Sequence, residues 1–493
     1  MRNKILAATA VCAMTLLGAT LPVASAAAVP APVTQDFNGD GYRDLVVGVP
    51  SGKVGTASKA GYVHVLWGGS HGVGKAGSVR ISQATAGVPG TPEADDLFGS
   101  AVVAADVDGD RFADLVVGAS SESLTSDRYD EQGTVTVLRG SATGFTGGYT
   151  VARGDNEFAR IGSVIAAGDV TGDGRTDLAL SSRGEEEGSV VLRPGPLTAA
   201  SPDTLTAPVD EVNLGRATAL ATGDFDGDGD DDLAVSVSAT ESRYTLILRW
   251  QEGAPQRLWS TSGSAAALAV GDFDADGADD LALGACFPNY EEDEPVCADY
   301  STGRAETFKG SVVHIAYGSK SGGFGARTQE IHQDTPGIVG AAETEDRLGA
   351  SLAAGDVDHD GYADLAMGDA YEAMGTRTDA GSVLVVRGGG SGLLSSDGTA
   401  SSVGFSQSTA GVPGSAESGD HFGASVALED YDADGHADLV TGAPGENTAT
   451  GGVWFLPGTP QGPTAAGSEA LTPKSLGLTA TSELGYGLVL GRD

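Results

Sequence analysis

Apolar residues in this chain come in short runs, and the runs come in sets. Leu45-Val46-Val47-Gly48-Val49-Pro50 is followed, across a polar loop, by Tyr62-Val63-His64-Val65-Leu66-Trp67 and then by a weaker run from Ser78 to Gln83. The succession recurs downstream, now with a small-residue segment in front: Gly349-Ala350-Ser351-Leu352-Ala353-Ala354-Gly355, an acidic stretch, a second apolar run, and Ser382-Val383-Leu384-Val385-Val386. The runs are short, β-branched and bounded by Gly and Pro, which predicts strands. No helical periodicity of useful length interrupts them. Four strands per set and seven sets predict an all-β fold, a seven-bladed β-propeller of four-stranded antiparallel blades.

One acidic phrase keeps the sets in phase. Its clearest copy is Asp356-Val357-Asp358-His359-Asp360-Gly361-Tyr362-Ala363-Asp364-Leu365, and others start at Asp36, Asp106, Asp169, Asp224, Asp272 and Asp430, spaced by 70, 63, 55, 48, 84 and 74 residues. The phrase falls between the first and second strand of each set, which puts all seven loops on one face of the ring. The first copy leaves no room for a strand ahead of it. The missing strand is expected from the far end, where Gly485-Tyr486-Gly487-Leu488-Val489-Leu490-Gly491 matches Gly423-Ala424-Ser425-Val426-Ala427-Leu428-Glu429. The C-terminal segment then joins blade 1, closes the ring and removes its open sheet edges.

The phrase itself carries chemistry. A hard cation such as Ca²⁺ takes about six to eight oxygens, and side-chain oxygens at positions 1, 3, 5 and 9 of a tight loop, with the carbonyl of position 7, converge on one point. Gly at position 6 permits the turn, because it adopts positive φ without strain. In chain order the candidate ligand sets are Asp36, Asn38, Asp40, Tyr42 and Asp44; Asp106, Asp108, Asp110, Phe112 and Asp114; Asp169, Thr171, Asp173, Arg175 and Asp177; Asp224, Asp226, Asp228, Asp230 and Asp232; Asp272, Asp274, Asp276, Ala278 and Asp280; Asp356, Asp358, Asp360, Tyr362 and Asp364; Asp430, Asp432, Asp434, His436 and Asp438. Up to seven Ca²⁺ ions are expected, one per blade. Thr171 is a poorer ligand than Asp and predicts a weaker third site. Arg111 replaces Gly at position 6 of the second loop, which predicts strain and a cation beside that site. An EF-hand is excluded: position 12 would need a bidentate Glu, and here it is Val47, Val117, Leu180, Val235, Leu283, Met367 or Thr441.

Charge and cysteine refine the setting. The formal net charge of −40 argues against nucleic acid and anionic membrane as partners, and seven divalent ions would offset 7 × 2 = 14 of it. Arg2 and Lys4, the apolar stretch Ile5 to Leu21 and Ala24-Ser25-Ala26 are expected to form a secretory signal peptide over residues 1–26, leaving 27–493 as a single propeller released outside the cell without membrane insertion. Two cysteines remain, Cys286 and Cys297, and in that compartment a disulfide clamping the acidic loop between them is expected.

These residues resemble a known family, the FG-GAP repeats of the integrin alpha-subunit propeller and its bacterial relatives. The matching pieces are Phe98-Gly99 and Phe422-Gly423, relaxed to Leu348-Gly349 and Ile161-Gly162, the seven acidic loops, and Gly442-Ala443-Pro444. Blades 4 and 5 depart, with Ala217 and Ala265 where the first glycine should be. In the integrins the face opposite the metal loops binds protein ligands. Here that face is expected to carry the blade-5 loop from Cys286 to Lys309 and a segment repeated three times, Gln83 to Gly99, Gln333 to Gly349 and Gln407 to Gly423; the repetition itself favours packing connectors over a recognition surface.

The function expected is a secreted, calcium-binding, non-catalytic binding or adhesion module for an extracellular protein or glycan. The alternatives are a Ca²⁺-dependent propeller enzyme, a polysaccharide lyase or esterase-like hydrolase, and a structural wall or matrix component. No catalytic residue is assigned. Gly68-Gly69-Ser70-His71-Gly72 matches G-x-S-x-G but follows a strand and opens no helix, so it reads as a turn; Arg153-Gly154-Asp155 is set aside as a chance tripeptide. Asp230, Asp231 and Asp279 are read as solvated acids beside the loops.

Overall fold

In a computed structural model the described residues are 34–125, 130–184, 188–203, 209, 215–239, 243–286, 297–298, 305–306, 311–343 and 346–491. The expected signal peptide, the acidic stretch 290–294 and the side chains of Cys286 and Cys297 lie outside them. Pro32–Asp493 forms one compact unit.

The second strand of each set is apolar at nearly every position, and the reason is that both of its faces are covered. Leu45–Val49, Asp114–Ala119, Asp177–Ser182, Asp364–Asp369 and Asp438–Ala443 are buried at every residue, because each blade is sandwiched between two others. The outer strands face water on one side and alternate instead, as in Ser78–Ile81 and Thr328–Ile331. Six blades are four-stranded antiparallel sheets in simple up-and-down order, and blade 3 shows Ile165–Gly168, Asp177–Ser182 and Ser189–Arg193. There the Val209 N–H donates to the Val190 carbonyl at 2.8 Å, in the place of a fourth strand. Seven apolar clusters occupy the seven junctions between neighbouring blades; the one between blades 7 and 1 joins Val440, Val453 and Phe455 to Leu45, Val47 and Tyr486.

The ring closes as expected. Val489–Leu490 pairs antiparallel with Leu45–Val49, with Val47 opposite Leu490 and Gly48 opposite Val489, and the Gly491 N–H donates to the Val46 carbonyl at 2.9 Å. Buried His64 and Tyr486 seal the joint through Nδ1 and the phenol at 2.8 Å.

The paired glycines of the motif interlock across blades. Gly423, at φ +94°, opens blade 7, and its carbonyl oxygen lies 2.0 Å from where a Cβ on Gly368 of blade 6 would stand. Gly48 with Gly99, Gly118 with Gly162, Gly284 with Gly349 and Gly442 with Gly487 repeat this close approach. Blades 4 and 5 explain their own departure. With Ala217 and Ala265 in place of the first glycine, the preceding blade carries Ser181 or Ser236 in place of the second. The Ala265 N–H donates to Ser236 Oγ at 2.6 Å, and that hydroxyl donates to the Ala265 carbonyl at 3.1 Å. At blade 5 a serine bridge replaces the glycine contact, whereas Ser181 Oγ accepts from the Val164 N–H of its own blade at 2.8 Å; the inner strands of blades 4 and 5 are Arg216–Gly223 and Ala265–Gly271.

Candidate metal centres

Each acidic loop is wound by its own first aspartate. Asp36 Oδ1 accepts from the Gly39 and Asp40 N–H groups at 2.7 and 3.2 Å, and its Oδ2 from Gly41 at 2.9 Å. Asp106, Asp356 and Asp430 do the same to their own loops. The turn passes twice through positive φ. Position 6 was legible from its glycines, and Arg111 there does adopt φ 79°. Position 4 was not: Ala275, His359 and Ala433 hold φ 56°, 59° and 57° where other loops have Gly.

The ligand positions sort by depth. Position 5 is exposed in all seven loops, positions 1 and 3 are mostly half-buried, and position 9 is buried. The buried aspartate is a structural keystone. Asp364 Oδ2 accepts from Val357 N–H and Oδ1 from Gly388 N–H, both at 2.8 Å, tying loop to third strand; Asp44, Asp280 and Asp438 repeat the pair. Burial pushes Asp44, Asp114 and Asp364 up to about 7, and Asp232, Asp280 and Asp438 up to about 8. The neighbouring acids add to this, but loss of water is the larger cause.

Carboxylate oxygens of Asp106, Asp108 and Asp114 lie within 4.8 Å of one another, as do those of Asp224, Asp226 and Asp228, of Asp272, Asp274 and Asp276, and of Asp356, Asp358 and Asp360. Buried oxygens without a partner remain there: Asp114 Oδ2, Asp226 Oδ1 and Asp358 Oδ1. This donor set of unspent, hard oxygens fits a divalent cation. The sequence reading missed the arginines beside it. Arg249 and Arg387 each pair with the position-3 aspartate, Asp226 and Asp358, at 2.9 Å, and Arg327 pairs with Asp274. The signal was available in part, since Arg387 stands directly before the glycine that closes its third strand.

Asp231 and Asp279 correct the expectation that they are solvated. Asp231 Oδ2 accepts from the Asp169 N–H at 2.8 Å and Asp279 Oδ2 from the Asp224 N–H at 3.0 Å, so each clasps the loop of the preceding blade. Asp230 is exposed as expected. Backbone bonds continue the chain of loops, Ala363 N–H to the Asp272 carbonyl and Ala437 N–H to that of Asp356.

On the opposite face the thrice-repeated segment packs. Gln83, Gln333 and Gln407 are buried, and each Nε2 donates to a glutamate of the next blade, Glu122, Glu372 or Glu446, at 2.6–2.7 Å and always 39 residues on. Asp96, Asp346 and Asp420 accept the N–H of Glu93, Glu343 and Glu417 at 2.5–2.6 Å. These are inter-blade staples. A central channel of about 460 Å³ runs between the inner strands. Its one ionisable lining residue among those described is Glu429, paired with Arg43 at 3.0 Å. Gly68 to Gly72 is a turn, and no helix among the described residues is long and apolar enough to cross a membrane.

The FG-GAP repeat family matches residues 31–66, 98–138, 161–192, 217–241, 348–386 and 422–456, six of the seven blades. Phosphatidylinositol-glycan-specific phospholipase D from Bos taurus is 31% identical over 155 residues, 31% of this chain and 18% of that protein; the Rattus norvegicus protein is 31% identical over 150 residues, 30% of this chain and 17% of that protein. The match thus spans under a fifth of either relative. Among solved structures, a protein from Lactobacillus plantarum aligns over 91% of this chain and 98% of its own at 11% identity, with a TM-score of 0.47. Rhamnogalacturonan lyase YesW aligns over 91% of both chains at 13% identity, with a TM-score of 0.34.

Proposed function

The chain belongs to the FG-GAP repeat propellers, and from that premise we propose that it is an extracellular, calcium-stabilised binding module with no catalysis of its own. The observation that carries the reading is the state of the loops. Their backbones are already wound by the first aspartate, acids are drawn together at half-buried positions, and oxygens such as Asp226 Oδ1 and Asp358 Oδ1 stand buried and unspent. A bound Ca²⁺ would supply positive charge beyond the single arginine that Asp226 and Asp358 each already meet. Positions 1, 3 and 5 would hold it, and position 9, which ties the loop to the third strand, would close the shell where it keeps an unspent oxygen, as Asp114 does. Residues 1–26 act as the export signal in this reading, and Cys286 and Cys297 pair outside the cell.

The ligand is an extracellular protein or glycan taken on the face opposite the acidic loops. Two measurements test this. Millimolar calcium should raise the melting temperature of the intact chain relative to EGTA, each site held at ten times its Kd adding about 1.4 kcal/mol. Glycan-array and extracellular-protein binding should then fall when EGTA is added. A melting temperature indifferent to calcium defeats the metal reading, and the absence of any reproducible ligand defeats the binding reading.

A further inference from the structure

Blade 6 carries a group of acids that the acidic loops do not account for, at the far end of the same strand. Asp369 ends the strand that Asp364 begins, and its carboxylate meets those of Asp346 and Glu372 with oxygens within 4.8 Å of one another. The three come from separate segments. Asp346 belongs to the connector from blade 5, Asp369 to the second strand and Glu372 to the loop after it.

Each acid has one oxygen committed to holding its place. Asp369 Oδ1 accepts from the Arg347 and Tyr371 N–H groups at 3.0 and 3.2 Å, Asp346 Oδ2 from Glu343 N–H at 2.6 Å, and Glu372 Oε2 from Gln333 Nε2 at 2.6 Å. Asp369 is fully buried, yet its Oδ2 has no hydrogen-bond partner. Gln333 is buried, and its Nε2 faces the group, as those of Gln83 and Gln407 face their own glutamates in blades 2 and 7; the orphaned Asp369 oxygen is what blade 6 adds. Among the described residues no Lys, Arg or His forms an ion pair with the three. The Arg347 guanidinium lies over the Tyr371 ring, and His421 Nδ1 faces the Ala370 carbonyl. Burial together with mutual repulsion holds Asp369 and Glu372 up to about 7.

Blades 2 and 7 provide the internal control. They repeat the glutamine, the aspartate and the glutamate at the same spacing, but Ala119 and Ala443 stand where blade 6 has Asp369. Two carboxylates can share one proton; a third, orphaned and buried beside them, calls for more positive charge. We propose that Asp346, Asp369 and Glu372 form a divalent-cation site on the face opposite the acidic loops, one that blades 2 and 7 lack. All three donors are hard carboxylate oxygens, which suits Ca²⁺, Mg²⁺ or Mn²⁺ over softer metals. Glu372 is the least buried of the acids and marks the side open to solvent.

Manganese as the sole divalent ion makes the test, since its anomalous scattering locates it in crystals of the intact chain. The expected result is a manganese peak enclosed by the three carboxylates in the wild type and none there in Asp369→Ala, which installs the residue blades 2 and 7 already carry. Peaks at the acidic loops are on the other face and report separately on the calcium reading. In solution, equilibrium dialysis should give one manganese ion fewer per chain for Asp369→Ala, and Glu372→Gln should weaken that site tenfold or more. Wild-type crystals with manganese absent from the cluster, or equal stoichiometry in wild type and Asp369→Ala, would overturn the site and leave three carboxyl groups sharing protons.

Discussion

The strand Asp364–Asp369 has a buried aspartate at each end, and the two are treated in opposite ways. Asp364 spends both oxygens on backbone N–H groups of its own blade. Asp369 spends one, leaves the other without a partner, and faces two further acids. Burial raises both to about 7, so burial alone does not separate them. What separates them is whether the surrounding backbone consumes the carboxylate. A consumed carboxylate is part of the fold, while an unconsumed one is charge held in reserve for a ligand.

The contrast can be broken most sharply at those two residues. Asp364→Ala strands the N–H groups of Val357 and Gly388 in the interior and is expected to cost about 2–6 kcal/mol of unfolding free energy, from about 1–3 kcal/mol per orphaned donor. Asp369→Ala in chelator should cost less than about 2 kcal/mol, because the two N–H groups it releases belong to exposed Arg347 and half-buried Tyr371, and their loss is offset by relief among the acids. Urea unfolding with EDTA compares them, and equal losses would erase the distinction.

A second effect comes from the two-acid staple of blade 2. Burial raises Asp96 to about 6 and Glu122 from 4.5 to about 7. The folded chain thus holds protons there that the unfolded chain has released. The sign follows: this contribution is complete below about pH 4 and is lost as pH rises through about 7. Glu122→Gln keeps the bond from Gln83 and removes the titration. Its stability relative to wild type should therefore improve by on the order of 1–3 kcal/mol between pH 4 and pH 7.5, read from urea midpoints in chelator. A pH-independent difference would mean that the pair is not held against its charge.

Smaller again is Gln407→Ala, which frees Glu446 from the preceding connector and should cost about 1 kcal/mol, with thermal melting as the readout. Smallest is Arg249→Met. The Arg249–Asp226 pair is partly exposed, so its loss should change chelated stability by no more than about 0.5 kcal/mol. A larger loss would place that arginine with the keystones rather than with the exposed rim.

The acidic loops were legible because the bonds that wind them lie within nine residues. Asp356 winds its own turn, and Asp364 reaches back to Val357. Even there the reading had gaps. The positive φ at position 4 hid behind Ala275, His359 and Ala433, and the arginine partners of Asp226, Asp274 and Asp358 come from later strands. The staples show the boundary from the other side. Gln333, Asp346 and Glu372 span 39 residues and two blades, so their repeated spacing was visible but not their contact. Asp231 and Asp279, read as solvated, reach loops that belong to a different blade.

By itself the sequence determined the number of blades, the order of strands, the face that bears the loops and the closing of the ring by the C-terminal segment. Each of these follows from local periodicity repeated often enough to be counted. Only the tertiary structure decided which buried acids are consumed by backbone and which are left over. That choice depends on donors delivered by the neighbouring blade, and whether a carboxylate meets an N–H group, a proton or a second carboxylate is a matter of ångströms between segments far apart in the chain.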